Sequence, residues 1–154
     1  MGKEIERKYL IKGNEWRKLG KGTLYRQGYL SVVKERVVRV RTIGSKGFLT
    51  IKGITIGASR LEFEYEIPFP DANKLLDELC KHPLIEKIRY IVEHHGLKWE
   101  IDEFDGENKG LILAELELTN EDQKVDLPDW IGKEVTGDPK YFNSNLIKFP
   151  YTKW

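Results

Sequence analysis

A mainly β (α+β) fold, eight antiparallel strands closed into a barrel-like tunnel with helices packed outside, is predicted by three features of this 154-residue sequence. Eight segments alternate apolar and polar residues with period two, short glycine-bearing breaks separate many of them at hairpin spacing, and like-charged pairs recur at i and i+2 on the polar faces. Eight strands are enough to close a barrel. Helical periodicity is confined to a few short stretches.

The first strand, residues 3–11, puts Glu4, Glu6 and Lys8 on one face and Ile5, Arg7 and Tyr9 on the other. After a short turn around Glu15 to Leu19, strands follow over 25–33, 36–43, 47–53 and 58–67. Residues 72–82 read as a helix, because Ala72, Leu75, Leu76, Leu79 and Cys80 keep a 3.6-residue period and Asp71 is available as N-cap just after Pro70. Strands over 85–95, 97–104 and 111–119 complete the eight, with breaks at Gly44 to Gly47, Gly96 and Asp105 to Gly110. A helical segment is expected around Pro128 to Gly132. A last helix is expected from Pro139 to Ile147, since a proline at the first helical position leaves no N–H unsatisfied. The length suits one domain over 1–154.

Lys and Arg number 26 against 25 Asp and Glu, so bulk charge favours neither nucleic acid nor an anionic membrane as partner. No run of about 18 apolar residues occurs, and a cytoplasmic protein is the expectation. Homodimerisation is left open. The single cysteine, Cys80, cannot form an intrachain disulfide and reads as a buried structural thiol beside Leu76 and Leu79.

Function is written on the polar faces. Arg39 and Arg41 oppose Val38 and Val40, Lys52 opposes Ile51, Glu62 and Glu64 oppose Leu61, Phe63 and Tyr65, and Lys87 and Arg89 oppose Ile88 and Tyr90. Glu100 and Asp102 then oppose Trp99 and Ile101, and Glu115 and Glu117 oppose Leu116 and Leu118. If helices cover the apolar faces, six cations and eight anions line the lumen. Like charges a few ångströms apart repel by about 4 kcal/mol at an effective dielectric near 20. Such a lumen calls for water, metal and an anionic ligand. Carboxylates suit Mg²⁺ or Mn²⁺, while arginine and lysine suit phosphate oxygens, so a polyphosphate with divalent metal satisfies both sets.

These residues resemble the CYTH domain, or triphosphate tunnel metalloenzyme, family. The family's N-terminal Glu-x-Glu-x-Lys signature appears as EIERK, followed in the family's order by RQGYL (26–30), RVR (39–41), TIKG (50–53), EFE (62–64), K-x-R (87–89), WEIDEFDG (99–106), AELEL (114–118) and EVTGDPKYFNSNL (134–146). The resemblance implies an eight-stranded tunnel holding a triphosphate. It makes Glu4, Glu6, Glu62, Glu64, Glu115 and Glu117 metal or water-network carboxylates, with Asp102 and Glu100 beside them, and Lys8, Arg39, Arg41, Lys52, Lys87 and Arg89 phosphate binders. Tyr29 shares a strand face with Gln27 and Ser31 and is placed with the substrate-binding residues. The attacking water's proton goes to a glutamate, Glu4 or Glu6, or to Lys87.

The resembled family includes inorganic, thiamine, nucleoside and RNA triphosphatases and class IV adenylyl cyclases, and fold does not choose among them. No second aromatic is seen in phase to sandwich a base, and GSKG at 44–47 fits no P-loop. Inorganic triphosphate hydrolysis is therefore the first expectation. A nucleoside or thiamine triphosphatase, a cyclase and a non-catalytic polyphosphate binder follow in that order. No zinc site is expected of His82, His94 and His95, because adjacent strand residues point to opposite faces. Trp16, Trp130 and Trp154 read as packing or anchoring residues. Arg60 is expected in solvent or at the tunnel mouth; Tyr141 and Asn143 match the resembled family's C-terminal tyrosine and asparagine pattern and either reach the tunnel end or cap the last helix, the structural role being preferred.

Overall fold

The computed structural model describes residues 3–154, with side chains from Glu4 onward. Its strands are β1 (Lys3–Ile11), β2 (Gly22–Val33), β3 (Arg36–Ile43), β4 (Lys46–Lys52), β5 (Ser59–Ile67), β6 (Ile85–His94), β7 (Leu97–Phe104), β8 (Ile112–Glu117) and β9 (Ile131–Glu134). The helices are α1 (Phe69–Glu78) and α2 (Asn143–Leu146). Neighbouring strands run β5-β4-β3-β2-β6-β7-β8-β1, and β1 returns to β5 by pairing Lys3–Ile5 with Ser59–Leu61. The predicted ring of eight antiparallel strands is thus present. Full closure removes most of the unpaired edge that an open sheet would expose.

The apolar faces point outward and need cover. On one side Tyr9, Trp99, Ile101, Ala114 and Leu116 pack under Trp16 and Trp130, confirming both tryptophans as packing residues. Tyr9 and Trp130 each meet the Trp99 ring edge-on, with centroids 5.5 and 5.8 Å away. On another side α1 lays Ala72 and Leu76 over Val40, with Cys80 completing the cluster. Burial pushes the Cys80 thiol up to about 11, which suits an inert core residue.

Helix α1 begins before its predicted start: Pro68 takes the N-cap position, Pro70 lies in the first turn, and Asp71 is inside the helix rather than capping it. Prolines are tolerated there because first-turn N–H groups have no intrahelical acceptor. Around Pro128 the expected helix is absent. A turn leads into β9, which pairs with the second half of β1 at Tyr9 and Ile11. The edge of β1 left free beyond Ile5 supplies hydrogen bonds that the local sequence could not reveal. The last predicted helix is broken: a 3₁₀ turn, Pro139–Tyr141, and the one-turn α2 are separated by extended Phe142.

The lumen is not charged throughout. Ile85, Phe104 and Leu113 share the inner faces with the charged residues, and with Tyr29 and Val37 they pack against Leu146 and Ile147. The C-terminal segment therefore seals part of the interior with an apolar plug, while α1 alone of the two helices covers an outer face. Beyond the end that α1 covers at Gly47, Leu49 and Ile67, the outer surface of β4 and β5 is open, exposing Ile51, Leu61, Phe63 and Tyr65.

Gly47 on β4 sets how closely α1 approaches. A Cβ there would lie 2.6 Å from the Ala72 Cβ and 3.1 Å from the Ile67 carbonyl oxygen. Gly47→Ala should lower unfolding stability by about 1–3 kcal/mol through overpacking, measured by urea denaturation with the metal-free protein.

Candidate active site

Because the strands alternate strictly, the charged i, i+2 pairs all turn inward, and the ring order sorts them by sign. Basic residues Lys52, Arg39, Arg41, Lys87 and Arg89 stand on the contiguous run β4-β3-β2-β6. Acidic residues Glu100, Asp102, Glu115, Glu117, Glu4, Glu6, Glu62 and Glu64 stand on the contiguous run β7-β8-β1-β5. A basic wall faces an acidic wall. Lys8 and Arg60 are the cations placed within the acidic half.

The walls meet at two seams, where ion pairs are direct. At β4/β5 the Lys52 ammonium lies 3.2 Å from Glu4 and 3.1 Å from Glu62, while Glu64 receives Arg41 at 3.2 Å and Thr50 at 2.8 Å. At β6/β7 Arg89 grips both oxygens of Asp102 at 2.7 and 2.8 Å, and Lys87 adds a 2.7 Å contact. Glu100 also reaches Arg89, at 3.4 Å. Asp102 is 1% exposed and is alone among the predicted site residues in not lining the cavity. The others enclose a space of about 220 Å³.

Alongside these ion pairs, like charges crowd one another on both walls. Glu6 is held well above the usual carboxylate range by burial and by Glu115 and Glu4; Glu4 is raised by burial and by Glu62 and Glu115, against the pull of Lys52. Glu115 is also buried, yet Lys8 and Arg89 outweigh that burial and hold it well below the usual range. The two neighbouring carboxylates are thus pushed in opposite directions, Glu6 toward its protonated form and Glu115 toward its charged form. Glu4, Glu6 and Glu115 line one cavity and bear on one another's charge, and carboxylate oxygens are the hard donors that suit a divalent cation of the Mg²⁺ or Mn²⁺ type. On the basic wall, burial and then Arg39 and Arg89 pull Arg41 down to about 10. Burial, assisted by Arg89, brings Lys87 to about 8 despite Asp102. Excess buried positive charge there favours an anion.

The lumen also holds residues outside the predicted site set. Tyr25 is in phase with Tyr29, contrary to the expectation of no second aromatic. Its ring lies beneath the guanidiniums of Arg89 and Arg41, at 4.9 and 5.4 Å, so those cations already cover it. Arg60 lies opposite Glu4 and lines the cavity; its parity with Glu62 and Glu64 was the available signal. Phe142 and Asn143 reach the lumen from the C-terminal segment, and Asn143 accepts from Lys87 and from Gln27, each at 3.0 Å. Beside Arg60, Thr136 and Phe142 the lumen adjoins a wider cavity of about 740 Å³ that Val32, Lys34 and Ile54 help to line.

Outside the lumen, His94 and His95 do not point apart. A φ of 50° at His95 and 77° at Gly96 makes the β6–β7 turn, and the two imidazoles stack with centroids 4.0 Å apart. Asp126 contacts the exposed His95 ring, which tethers its loop to this turn.

Among the described residues, no helix is long and apolar enough to cross a membrane. The family model described as the CYTH domain matches residues 2–146. An inorganic triphosphatase of Acetivibrio thermocellus is 56% identical over 151 residues, covering 98% of this chain and 97% of that protein. One from Nitrosomonas europaea is 35% identical over 147 residues, covering 93% and 95%. A crystal structure of an inorganic triphosphatase, 32% identical, covers 94% of this chain and 93% of its own with a TM-score of 0.65.

The raised carboxylates make a pH prediction. Their folded pKa values lie above the unfolded ones, so the metal-free protein should lose stability as pH rises from the ordinary glutamate value of 4.5 through the raised range. Glu115 and Asp102 are depressed and have the opposite sign, but they titrate below that window. Glu6→Gln should flatten the decline above the ordinary glutamate value, followed as Tm in chelator; an unchanged slope would show that Glu6 carries no extra proton.

Proposed function

The chain belongs to the CYTH domain family, and from that premise we propose that it hydrolyses inorganic triphosphate to diphosphate and phosphate. The observation that carries this reading is the division of the lumen into a basic and an acidic wall. A triphosphate with divalent metal neutralises both walls at once, whereas a simple anion or a lone cation would leave one unsatisfied.

Lys8, Arg39, Arg41, Lys52, Lys87 and Arg89 bind the phosphoryl oxygens in this reading, with Tyr29 beside them. Arginine supplies forked donors and lysine compact charge, and confinement strengthens both. Glu4, Glu6 and Glu115 are the central metal ligands, with Glu62, Glu64, Glu100 and Glu117 around them. Mg²⁺ or Mn²⁺ bound there would polarise the phosphoryl group and acidify a coordinated water. Asp102 would join the metal ligands only by giving up Arg89 or Lys87, so we assign it to anchoring that pair. Lys87, brought to about 8 by burial, is the base that takes the attacking water's proton in mildly alkaline solution.

A broader activity on nucleoside or thiamine triphosphates is favoured by one observation, the wider cavity beside Arg60 and Phe142, which could receive an organic substituent. Two measurements test these readings. Phosphate release should require added Mg²⁺ or Mn²⁺ and vanish in EDTA while circular dichroism shows the fold retained; full activity in chelator would overturn the metal requirement. A panel of inorganic triphosphate, ATP, GTP, thiamine triphosphate and pyrophosphate should give the highest kcat/KM for inorganic triphosphate and little turnover of pyrophosphate. Preference for an organic triphosphate would establish the broader reading, and cyclic AMP as product would establish a cyclase.

A further inference from the structure

We infer that Asn143 is a positioning residue for catalysis, delivered by the C-terminal segment to hold the Lys87 side chain in its working orientation. This rests on the proposed triphosphatase reading. Lysine carries its charge on a flexible four-carbon stem, and a productive geometry requires that the ammonium be held from more than one side. Lys87 is 1% exposed, and its Nζ donates to Asp102 at 2.7 Å and to Asn143 Oδ1 at 3.0 Å, above the Phe104 ring at 5.4 Å. Two N–H bonds are thereby committed, and in the neutral amine the remaining position is the lone pair. The third position is the one left for the lumen, which Lys87 also lines.

The two partners reach Lys87 from different parts of the chain. Asp102 comes from the neighbouring strand and is itself clamped by Arg89. Asn143 comes from outside the ring of eight and begins α2, whose Leu146 is fully buried in the apolar plug. The Asn143 amide has a defined orientation. Its Oδ1 accepts from Gln27 Nε2 at 3.0 Å as well as from Lys87, so the Nδ2 group must point elsewhere. Gln27 in turn is fixed by a 3.3 Å contact with the Tyr29 hydroxyl. Lys8 Nζ donates to the Tyr141 carbonyl at 3.3 Å, a second tie between the same segment and the basic residues of the lumen. The plug and the aim of the buried lysine are therefore mechanically connected, and a role limited to capping α2 would not require the Asn143 carbonyl to face Lys87.

A double-mutant cycle tests this with the full chain, inorganic triphosphate and saturating Mg²⁺. Asn143→Leu keeps the branched shape and heavy-atom count of the side chain but removes the acceptor. It should lower kcat by roughly tenfold or more with KM changed by less than about threefold. In a Lys87→Met background, the same change should lower residual kcat by less than about twofold, because a residue acting through Lys87 has nothing left to position. Asn143→Asp, which retains an acceptor oxygen, should recover most of kcat while raising KM through added negative charge near the phosphates. Equal losses from Asn143→Leu in both backgrounds, or kcat unchanged by that substitution, would overturn the inference and leave Asn143 as an anchor of the C-terminal segment. If the wild-type protein hydrolyses no triphosphate, the proposed function fails. The cycle read by calorimetry as triphosphate affinity then decides separately whether Asn143 and Lys87 act as a unit.

Discussion

Mutual neutralisation of charge inside a confined lumen is the constraint on which the rest of this structure depends. Eight carboxylates from the acidic strands and the cations facing them cannot be buried at random, since each unpaired charge taken from water costs several kcal/mol. Ring order resolves part of this by placing opposite signs side by side at two seams, β4/β5 and β6/β7. There Lys52 bridges Glu4 and Glu62, and Asp102 is shared by Arg89 and Lys87. Elsewhere the balance is poorer: Glu64 alone serves both Arg39 and Arg41, and Glu6 and Glu117 make no ion pair among the described residues. That residual imbalance is what a divalent cation and a phosphate chain are suited to relieve.

Inward charge also explains the unusual position of the core. With the lumen polar, the apolar faces must be covered from outside, by α1 over Val40 and by Trp16 and Trp130 around Trp99. The C-terminal segment has a different task. It folds Leu146 and Ile147 against Ile85, Phe104 and Leu113, so that the polar cavity ends at an apolar floor. A floor that excludes water strengthens every electrostatic contact above it and keeps Lys87 partly desolvated. Fold closure and tuning of the site are consequences of the same packing.

Much of both fold and site was legible in the sequence because strand periodicity is a local property. Glu4, Glu6 and Lys8 must share a face whatever they pair with, and the same holds for Arg39 with Arg41, Glu62 with Glu64 and Glu115 with Glu117. The eight long strands and the charged lumen could therefore be predicted from alternation and turn signals alone. Arg60 and Tyr25 carry the same parity signal without forming a like-charged i, i+2 pair, so alternation alone does not single them out. Asn143 had no periodic signal, because it lies beyond the strands in a segment whose path is set by apolar contacts remote in sequence.

Tertiary structure decided what depends on neighbours distant along the chain. Strand β9 exists because β1 leaves an edge to be paired, and the last helix breaks at Phe142 because this segment must turn into the lumen. Alternation could state that Asp102 faces inward, but only the β6–β7 pairing shows it locked to Arg89 rather than open to a ligand. Likewise, the sequence by itself determined that cations and carboxylates share one interior. Their separation into two walls follows from the order in which strands close the ring, and closure is a long-range choice governed by burial and charge pairing that no local period encodes.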